Sequence, residues 1–295
     1  MTEREELTLQ ISGTTTMLGL IGTPVAHSKS PAMYNHCFQK FGLDWAYLAF
    51  DIPAERAGEA VAAIRTLHMR GANVTMPCKN AVIPFLDELT PAARAIQAVN
   101  TIVNEDGVLV GHNTDGCGYT QNLRRSGIEV AGKKIVLLGG GGAASAIAIQ
   151  AALEGAAEIA VFNLRDTFWP RVEQGLKAIA QAAPGCAISL RDLEDRAALK
   201  AAIDRCDILS NATRVGMAPY EDQSNITDGS WYRPDLVVTD VVYAPPETKM
   251  LREARAAGCK TCDGLGMLLC QGAEAFRLYS GLEMPVEEIR ALLYT

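Results

Sequence analysis

The stretch Lys134-Ile135-Val136-Leu137-Leu138-Gly139-Gly140-Gly141-Gly142-Ala143-Ala144 decides the fold class. Its first five residues read as a buried strand. The glycines make a turn, and apolar sequence to about Leu153 reads as a helix. Gly139-x-Gly141-x-x-Ala144 fits G-x-G-x-x-A: the first glycine permits the turn, the second lets backbone approach a pyrophosphate, and the small third residue lets helix pack on strand. A helix N-terminus behind such a turn aims unpaired N–H groups and a positive dipole end at a phosphate. A Gly-rich turn without a ligand is the competing reading, but a strand before and a helix after are the context that a dinucleotide site needs. The run Ile135 to Leu153 carries no charge and is nearly long enough to span a bilayer. Four consecutive glycines make it a poor continuous helix, so strand, turn and buried helix explain it better.

Working outward to the C-terminus, Glu158 to Phe162 reads as the next strand. Strand and helix pairs continue through Ile188, Ile208 and Val237-Val238 to about Lys260. This is a doubly wound, mostly parallel pattern. After Gly264, apolar helices are expected at about Leu265 to Tyr279 and Val286 to Leu293, and the most loop-like stretch is Met217 to Pro234.

Toward the N-terminus, Met17 to Ile21 reads as a strand. Ser30-Pro31 opens a helix, with Ser30 as N-cap, that Gly42 ends. Trp45 to Phe50 is strand-like, Ala54 to Met69 helical, Ala72 to Met76 strand-like, and Pro91 starts another helix. Asn100 to Asn104 and Val108 to Val110 flank Glu105-Asp106-Gly107, a hairpin signal. β and α units thus alternate before the glycine motif, which predicts an α/β domain of its own. The expected fold is α/β with two α/β domains, the second a Rossmann-type dinucleotide domain from 115–264.

Composition bounds the function. Of 295 residues, 48% are hydrophobic and 21% charged, ordinary for a globular enzyme. The formal net charge of −7 has no compensating basic block, which argues against a nucleic-acid or anionic-membrane partner. The acidic start, Met1 to Glu6, does not read as an export signal. The eight scattered cysteines then read as reduced thiols of a cytoplasmic protein. Cys259 and Cys262 form a lone C-x-x-C without a second ligand pair, so no metal site is expected. His27, His36, His68 and His112 are dispersed; His36 sits within a helix, and His27 and His112, on loops near the proposed site, read as structural or as supporting its residues.

The chemistry concentrates between Gly71 and Gly116. Asn73-Val74-Thr75-Met76-Pro77-Cys78-Lys79 and Asn113-Thr114-Asp115-Gly116 each follow an apolar run, with Ala98-Val99-Asn100-Thr101 between them. A lysine and a carboxylate on neighbouring loops can pass a proton to or from a hydroxyl as hydride leaves its carbon. A solvated Lys79 and an Asp115 that caps the following helix are the bland alternative, and the residues alone leave both open. Beyond the glycine motif, Asn163-Leu164-Arg165-Asp166 stands where a dinucleotide domain meets the adenosine ribose. An acid there accepts ribose hydroxyls and repels a 2′-phosphate. Asp166 therefore points to NAD, Arg165 leaves NADP open, and Asp166 can also cap the next helix.

These motifs together resemble the shikimate dehydrogenase family, and in part its quinate/shikimate dehydrogenase branch. Val25-Ala26-His27-Ser28-Lys29-Ser30-Pro31, the Asn73 to Lys79 segment, Ala98 to Thr101, Asn113 to Gly116 and the glycine turn carry the likeness. So do Asn211-Ala212-Thr213, Val242-Tyr243-Ala244-Pro245 and Gly266-Met267-Leu268-Leu269-Cys270-Gln271-Gly272-Ala273. The resemblance implies an oxidoreductase that interconverts shikimate and 3-dehydroshikimate with NAD or NADP, with quinate as a further candidate. It implies that a domain of 1–114 plus 265–295 binds substrate, with the C-terminal helices packing back onto it, and that Lys79 and Asp115 are the catalytic pair. Ser28 and Ser30 would take the substrate carboxylate, Asn73, Thr75, Asn100 and Gln271 its hydroxyls, and Tyr243 would line the same place. Gly139, Gly140, Gly141, Gly142, Ala143, Asn163, Arg165, Asp166, Thr213 and Gly264 would hold the cofactor. The expected partner is a small molecule, with the chain a monomer or homodimer. Leu164 departs from the arginine of NADP-using members, which favours NAD, whereas Asn73 and Thr75 are similar to shikimate-specific members. A non-catalytic sensor of the same fold is the competing class, and it is disfavoured because Lys79 and Asp115 are both kept.

Overall fold

A computed structural model describes residues 11–294, so the acidic start Met1 to Glu6 lies outside the described residues. The chain divides into two compact units. Unit 1 holds the described residues up to Thr114 and those from Gly272 onward; unit 2 is Asp115–Gln271.

Unit 1 contains β1 (Thr16–Gly22), α1 (Ser30–Lys40), β2 (Trp45–Asp51), α2 (Ala57–Thr66), β3 (Gly71–Val74), α3 (Cys78–Ala81), β4 (Glu88–Leu89), α4 (Pro91–Ile96), β5 (Thr101–Glu105) and β6 (Val108–His112). Unit 2 contains α5 (Asp115–Arg125), β7 (Lys134–Leu138), α6 (Gly142–Leu153), β8 (Glu158–Asn163), α7 (Trp169–Ala182), β9 (Ala187–Asp192), α8 (Arg196–Ile203), β10 (Ile208–Asn211), β11 (Val237–Asp240), α9 (Lys249–Ala256) and β12 (Lys260–Cys262). Helix α10 (Gly264–Ser280) begins in unit 2 and ends in unit 1, and α11 (Val286–Tyr294) closes the described chain.

The unit 2 sheet has the order β12-β11-β10-β7-β8-β9, with every neighbouring pair parallel. Read from its other edge and numbered within the unit, this is 3-2-1-4-5-6, the dinucleotide-binding order. Strand β7 buries Ile135, Val136, Leu137 and Leu138 in succession. Such unbroken burial is what a parallel sheet covered on both faces requires. Val136, Leu138 and Phe162 of the sheet share one core with Leu199, Ile203 and Leu251 of the helices. The chain leaves β7 and β10 toward opposite sides of the sheet, so the carboxyl ends of these two neighbours mark its switch point.

The unit 1 sheet runs β2-β1-β3-β5-β6-β4. Strands β2, β1 and β3 are parallel, β5 is antiparallel to both β3 and β6, and β4 is parallel to β6. The β5–β6 turn places Asp106 at φ 51° and Gly107 at φ 98°, the paired positive values of a two-residue hairpin that Asp-Gly accommodates. Ala72 and Val74 pack with Val61, Ile64, Ile102 and Leu109 on one face. Asn73, out of phase in the strand's alternation, faces Tyr47. There Tyr34 of α1 stacks on Tyr47 at 4.5 Å and on Phe276 of α10 at 6.5 Å. Glu288 of α11 meets His36 and Lys40 of α1 at 2.7 and 2.6 Å. The C-terminal helices therefore pack back onto the first unit.

Several expected elements are corrected. The helix from Ala54 to Met69 is a short 3-10 turn, Ala54–Arg56, followed by α2, which stops at Thr66; His68 then turns at φ 50°. The strand Ala72 to Met76 is Gly71–Val74, and Asn100 precedes β5 rather than starting it. Ser30 is not the N-cap of α1: Lys29 holds that position, no side chain caps the helix, and the Oγ of Ser28 instead accepts the Ser30 N–H at 3.2 Å. Among the described residues no helix is long and apolar enough to cross a membrane.

Candidate active site

In unit 1, strand polarity gathers the candidate residues at one edge. β1 and β3 run parallel and so end at the same edge, where β5 begins and β6 ends because β5 is antiparallel to both β3 and β6. The loop after β1 carries Ser28 and leads to Ser30 at the start of α1, both half-buried. The end of β3 carries Asn73, Thr75 follows it, and Lys79 lies just beyond in α3. The loop before β5 carries Asn100, and the residues after β6 lead to Asn113 and Thr114. Backbone bonds tie these loops together: Thr23 N–H donates to Met76 carbonyl at 3.1 Å, Val74 N–H to Asn100 carbonyl at 2.8 Å, and Val99 N–H to Lys79 carbonyl at 2.8 Å.

A buried network of amides and hydroxyls supports this edge. The Oδ1 of Asn73 accepts from Tyr47 Oη at 2.8 Å, and its Nδ2 donates to Thr101 Oγ1 at 3.2 Å. The Oδ1 of Asn100 accepts the Thr114 N–H at 2.8 Å, and its Nδ2 donates to Thr114 Oγ1 at 3.0 Å. Satisfied buried polar groups of this kind fix a unique geometry. His112, beside them at the end of β6, has a buried Nε2 without a partner among the described residues, and burial lowers its pKa from the ordinary 6.5.

Lys79 and Asp115 were expected on loops. Lys79 lies half-buried in the single-turn helix α3, and Asp115 is the first residue of α5. A carboxylate in a first turn is favoured by the helix dipole, so Asp115 starts its helix rather than preceding it. Within unit 2, α5 is held firmly. A side chain at Gly116 would come within 2.6 Å of Gln150 Cβ on α6, and one at Gly118 within 2.6 Å of Gln271 N on α10. Tyr119 Oη bonds Ser210 Oγ of β10 and lies 3.4 Å from Thr239 Oγ1 of β11.

The glycine turn fits a pyrophosphate. Gly139 adopts φ 100°, and a side chain there would meet the Ala212 carbonyl at 2.9 Å. A side chain at Gly140 would meet Val172 at 2.6 Å and Asn163 at 3.2 Å, whereas Gly141 and Gly142 face open space. Behind them α6 starts without a side-chain cap and without an acidic residue in its first turn. This is an open cradle of backbone donors at the switch point. Asn163 borders it, with Leu164, Arg165 and Asp166 exposed beyond. Asp166 does not cap α7: Phe168 is its N-cap and no side chain caps the helix, while the Oδ1 of Asp166 accepts the Phe168 N–H at 2.9 Å in the turn before it.

On the β10 side, Thr213 Oγ1 donates to Asn211 Oδ1 at 2.7 Å and accepts from Val215 N–H at 3.1 Å and Asn225 Nδ2 at 2.9 Å. Asn211 Nδ2 donates at 2.9 Å to Asp240, a residue that the sequence reading did not single out. Asp240 also accepts from Val242 N–H at 3.0 Å and Thr248 Oγ1 at 2.7 Å. Burial pushes its carboxyl up from 3.8 to about 6, against the lowering effect of those three donors. Asp240 thus shapes the loop that presents Tyr243, which is 49% exposed. A carboxylate closing the apolar strand Val237–Asp240 was the available signal. Gln271 Nε2 donates to Leu268 carbonyl at 3.0 Å, and Gly264 packs against Val241 backbone at the start of α10. Among the described residues no group of three or more His, Cys, Asp or Glu is arranged to hold a metal.

Comparison with known proteins gives a consistent result. Residues 20–102 match the shikimate dehydrogenase substrate binding domain, and residues 264–294 match the shikimate 5′-dehydrogenase C-terminal domain. The shikimate dehydrogenase (NADP(+)) of Streptococcus uberis is 49% identical over 288 residues, covering 97% of each chain. The crystal structure of shikimate 5-dehydrogenase from Listeria monocytogenes in complex with shikimate and NAD is 44% identical. It covers 100% of this chain and 99% of its own, with a TM-score of 0.93. Quinate dehydrogenase from Corynebacterium glutamicum in complex with NAD is 32% identical with a TM-score of 0.83, covering 94% of this chain and 98% of its own.

Proposed function

Because the chain belongs to the shikimate dehydrogenase family, we propose that it interconverts shikimate and 3-dehydroshikimate with a nicotinamide dinucleotide. NAD is preferred over NADP, and quinate is the candidate second substrate. The observation that supports this most is the gathering of Ser28, Ser30, Asn73, Thr75, Lys79 and Asn100 at one edge of the unit 1 sheet. Hydroxyls suit a carboxylate, and amides suit ring hydroxyls because each can both donate and accept.

In this reading Ser28 and Ser30 bind the acid group, while Asn73, Thr75, Asn100 and Gln271 read the ring hydroxyls and Tyr243 lines the site. The Nζ of Lys79 takes or returns the proton of the reacting hydroxyl. Asp115 holds and tunes that ammonium, since a nearby carboxylate favours its charged form. A bound nicotinamide supplies the hydride acceptor or donor. Gly139 to Ala143 take the pyrophosphate, and Asn163, Arg165, Asp166, Thr213 and Gly264 border the remainder of the dinucleotide.

The cofactor preference rests on this chain's own loop. Leu164 offers no cation, and Asp166 presents a carboxylate where a ribose binds, which accepts hydroxyls and repels a 2′-phosphate. Relatives are named for NADP(+), while the Listeria enzyme was crystallised with NAD, so the family name alone does not assign the choice.

Lys79→Ala tests the proton role. It lowers kcat on the order of a hundredfold or more while KM for shikimate changes far less. Near-normal turnover in that variant removes Lys79 from the chemistry.

A further inference from the structure

We propose that Asp192 is a specificity-determining residue for the cofactor, because it holds Arg165 away from a 2′-phosphate. The proposal rests on the dinucleotide reading above and adds a residue on a different strand.

The loop after β8 borders the glycine turn. Gly139 N–H donates to Phe162 carbonyl at 2.7 Å, and a side chain at Gly140 would lie 3.2 Å from Asn163. The ribose of an adenosine whose pyrophosphate lies on that turn therefore faces Leu164, Arg165 and Asp166. Arg165 is the one cation of that tetrapeptide, and a guanidinium is well suited to grip a 2′-phosphate.

In this protein the guanidinium is already engaged twice. Its Nε lies 3.3 Å from Asp192 Oδ2, and its central carbon sits 4.7 Å from the centroid of the Trp169 ring. Asp192 is the more firmly placed partner. It ends β9 in register with Asn163, and Leu193 N–H donates to Asn163 carbonyl at 3.0 Å. Its Oδ1 accepts the Glu194 N–H at 2.9 Å, which fixes the carboxylate in a tight turn. Its side chain is 26% exposed against 68% for Arg165. A fixed carboxylate thus anchors an exposed cation, with an aromatic face beneath it. A 2′-phosphate has to break that pair and approach a second negative charge, Asp166. Ribose hydroxyls of NAD meet neither cost.

The test compares adenosine 2′,5′-bisphosphate with ADP as probes, binding each by calorimetry to the full-length protein and to Asp192→Asn. Asparagine keeps the Oδ1 acceptor for Glu194, so the turn is retained. The expected result is that the affinity ratio of the bisphosphate over ADP rises about tenfold in the variant, with the gain shrinking as salt is added. In an Arg165→Gln background the same substitution shifts the ratio by about twofold or less. A ratio unchanged in Asp192→Asn overturns the proposal. So does an equal gain with and without Arg165, which would make Asp192 a simple repulsive charge. A wild-type protein that binds the bisphosphate more tightly than ADP contradicts the NAD preference instead, and leaves the Asp192 comparison readable.

Discussion

Each unit buries a knot of polar side chains at the end of its strands, and the two knots differ in one respect. In unit 1, Asn73, Asn100, Thr101 and Thr114 are neutral amides and hydroxyls that satisfy one another. In unit 2, Asn211, Thr213, Asn225 and Thr248 close on a carboxyl, Asp240, whose pKa burial raises to about 6. A neutral knot keeps its hydrogen bonds at any pH, which suits the proposed role of that surface in reading ring hydroxyls. A knot closed by a carboxyl changes its bonding when the proton arrives. The acid sensitivity of this edge of unit 1 then comes from His112 beside the knot rather than from the knot itself.

The largest expected effect comes from breaking the neutral knot. Asn100→Ala removes the side chain that accepts the Thr114 N–H and donates to its hydroxyl, and opens space in a buried site. It should cost about 2–3 kcal/mol of stability, read from urea unfolding. A loss under about 0.5 kcal/mol would mean that Asn100 contributes to the site without supporting the fold.

The carboxyl knot gives an effect of similar size, spread over a pH window and with a definite sign. The folded pKa of Asp240, about 6, lies above its ordinary 3.8. Between these values the native state keeps a proton that the unfolded chain has released. Stability from this group is therefore fully present below pH 3.8 and declines as pH rises toward 6. The slope amounts to on the order of 2–3 kcal/mol across the window, and Asp240→Asn should abolish it. An unchanged slope in that variant assigns the pH dependence elsewhere.

His112 should give the smallest effect, and in the opposite sense. Its pKa is depressed by burial, so below 6.5 the unfolded chain takes up a proton that the native state resists. Stability from this residue is present above pH 6.5 and lost as pH falls through its folded value. Glu105 and Glu274, which raise that value, and Arg277, which lowers it, set how far it falls. His112→Gln should flatten the acid limb of hydrogen exchange at β5 and β6. If the limb keeps its slope, unit 1 draws its acid sensitivity from another group.

The same contrast explains what the sequence made legible. Strand β7, the glycine turn and α6 were readable because burial on both sheet faces forces an unbroken apolar run, and because Gly139 needs its positive φ. The β5–β6 hairpin was readable from Asp106-Gly107 for the same backbone reason. Strand β4 has only two residues and exists through pairing with β6, so no local period marks it. Helix α3, which carries Lys79, spans four residues, too short for a helical pattern to emerge. The serine at position 30 carried an N-cap signal, but the turn used Ser28 Oγ for the Ser30 N–H, a choice between two serines two residues apart. On the functional side, the polar clusters were visible as interruptions in apolar sequence. Asp240 was not, because one carboxylate after a strand looks like any loop acid until Asn211 and Thr248 are brought to it from elsewhere in the chain.

The most direct measurement is initial-rate turnover of the wild-type protein with shikimate and with quinate, each with NAD and with NADP. The expected result is shikimate-dependent NADH formation, with kcat/KM higher for NAD than for NADP. Shikimate binding without any turnover would contradict it and point to a sensor, and an equal or reversed cofactor ratio would contradict the role given to the Leu164–Asp166 loop.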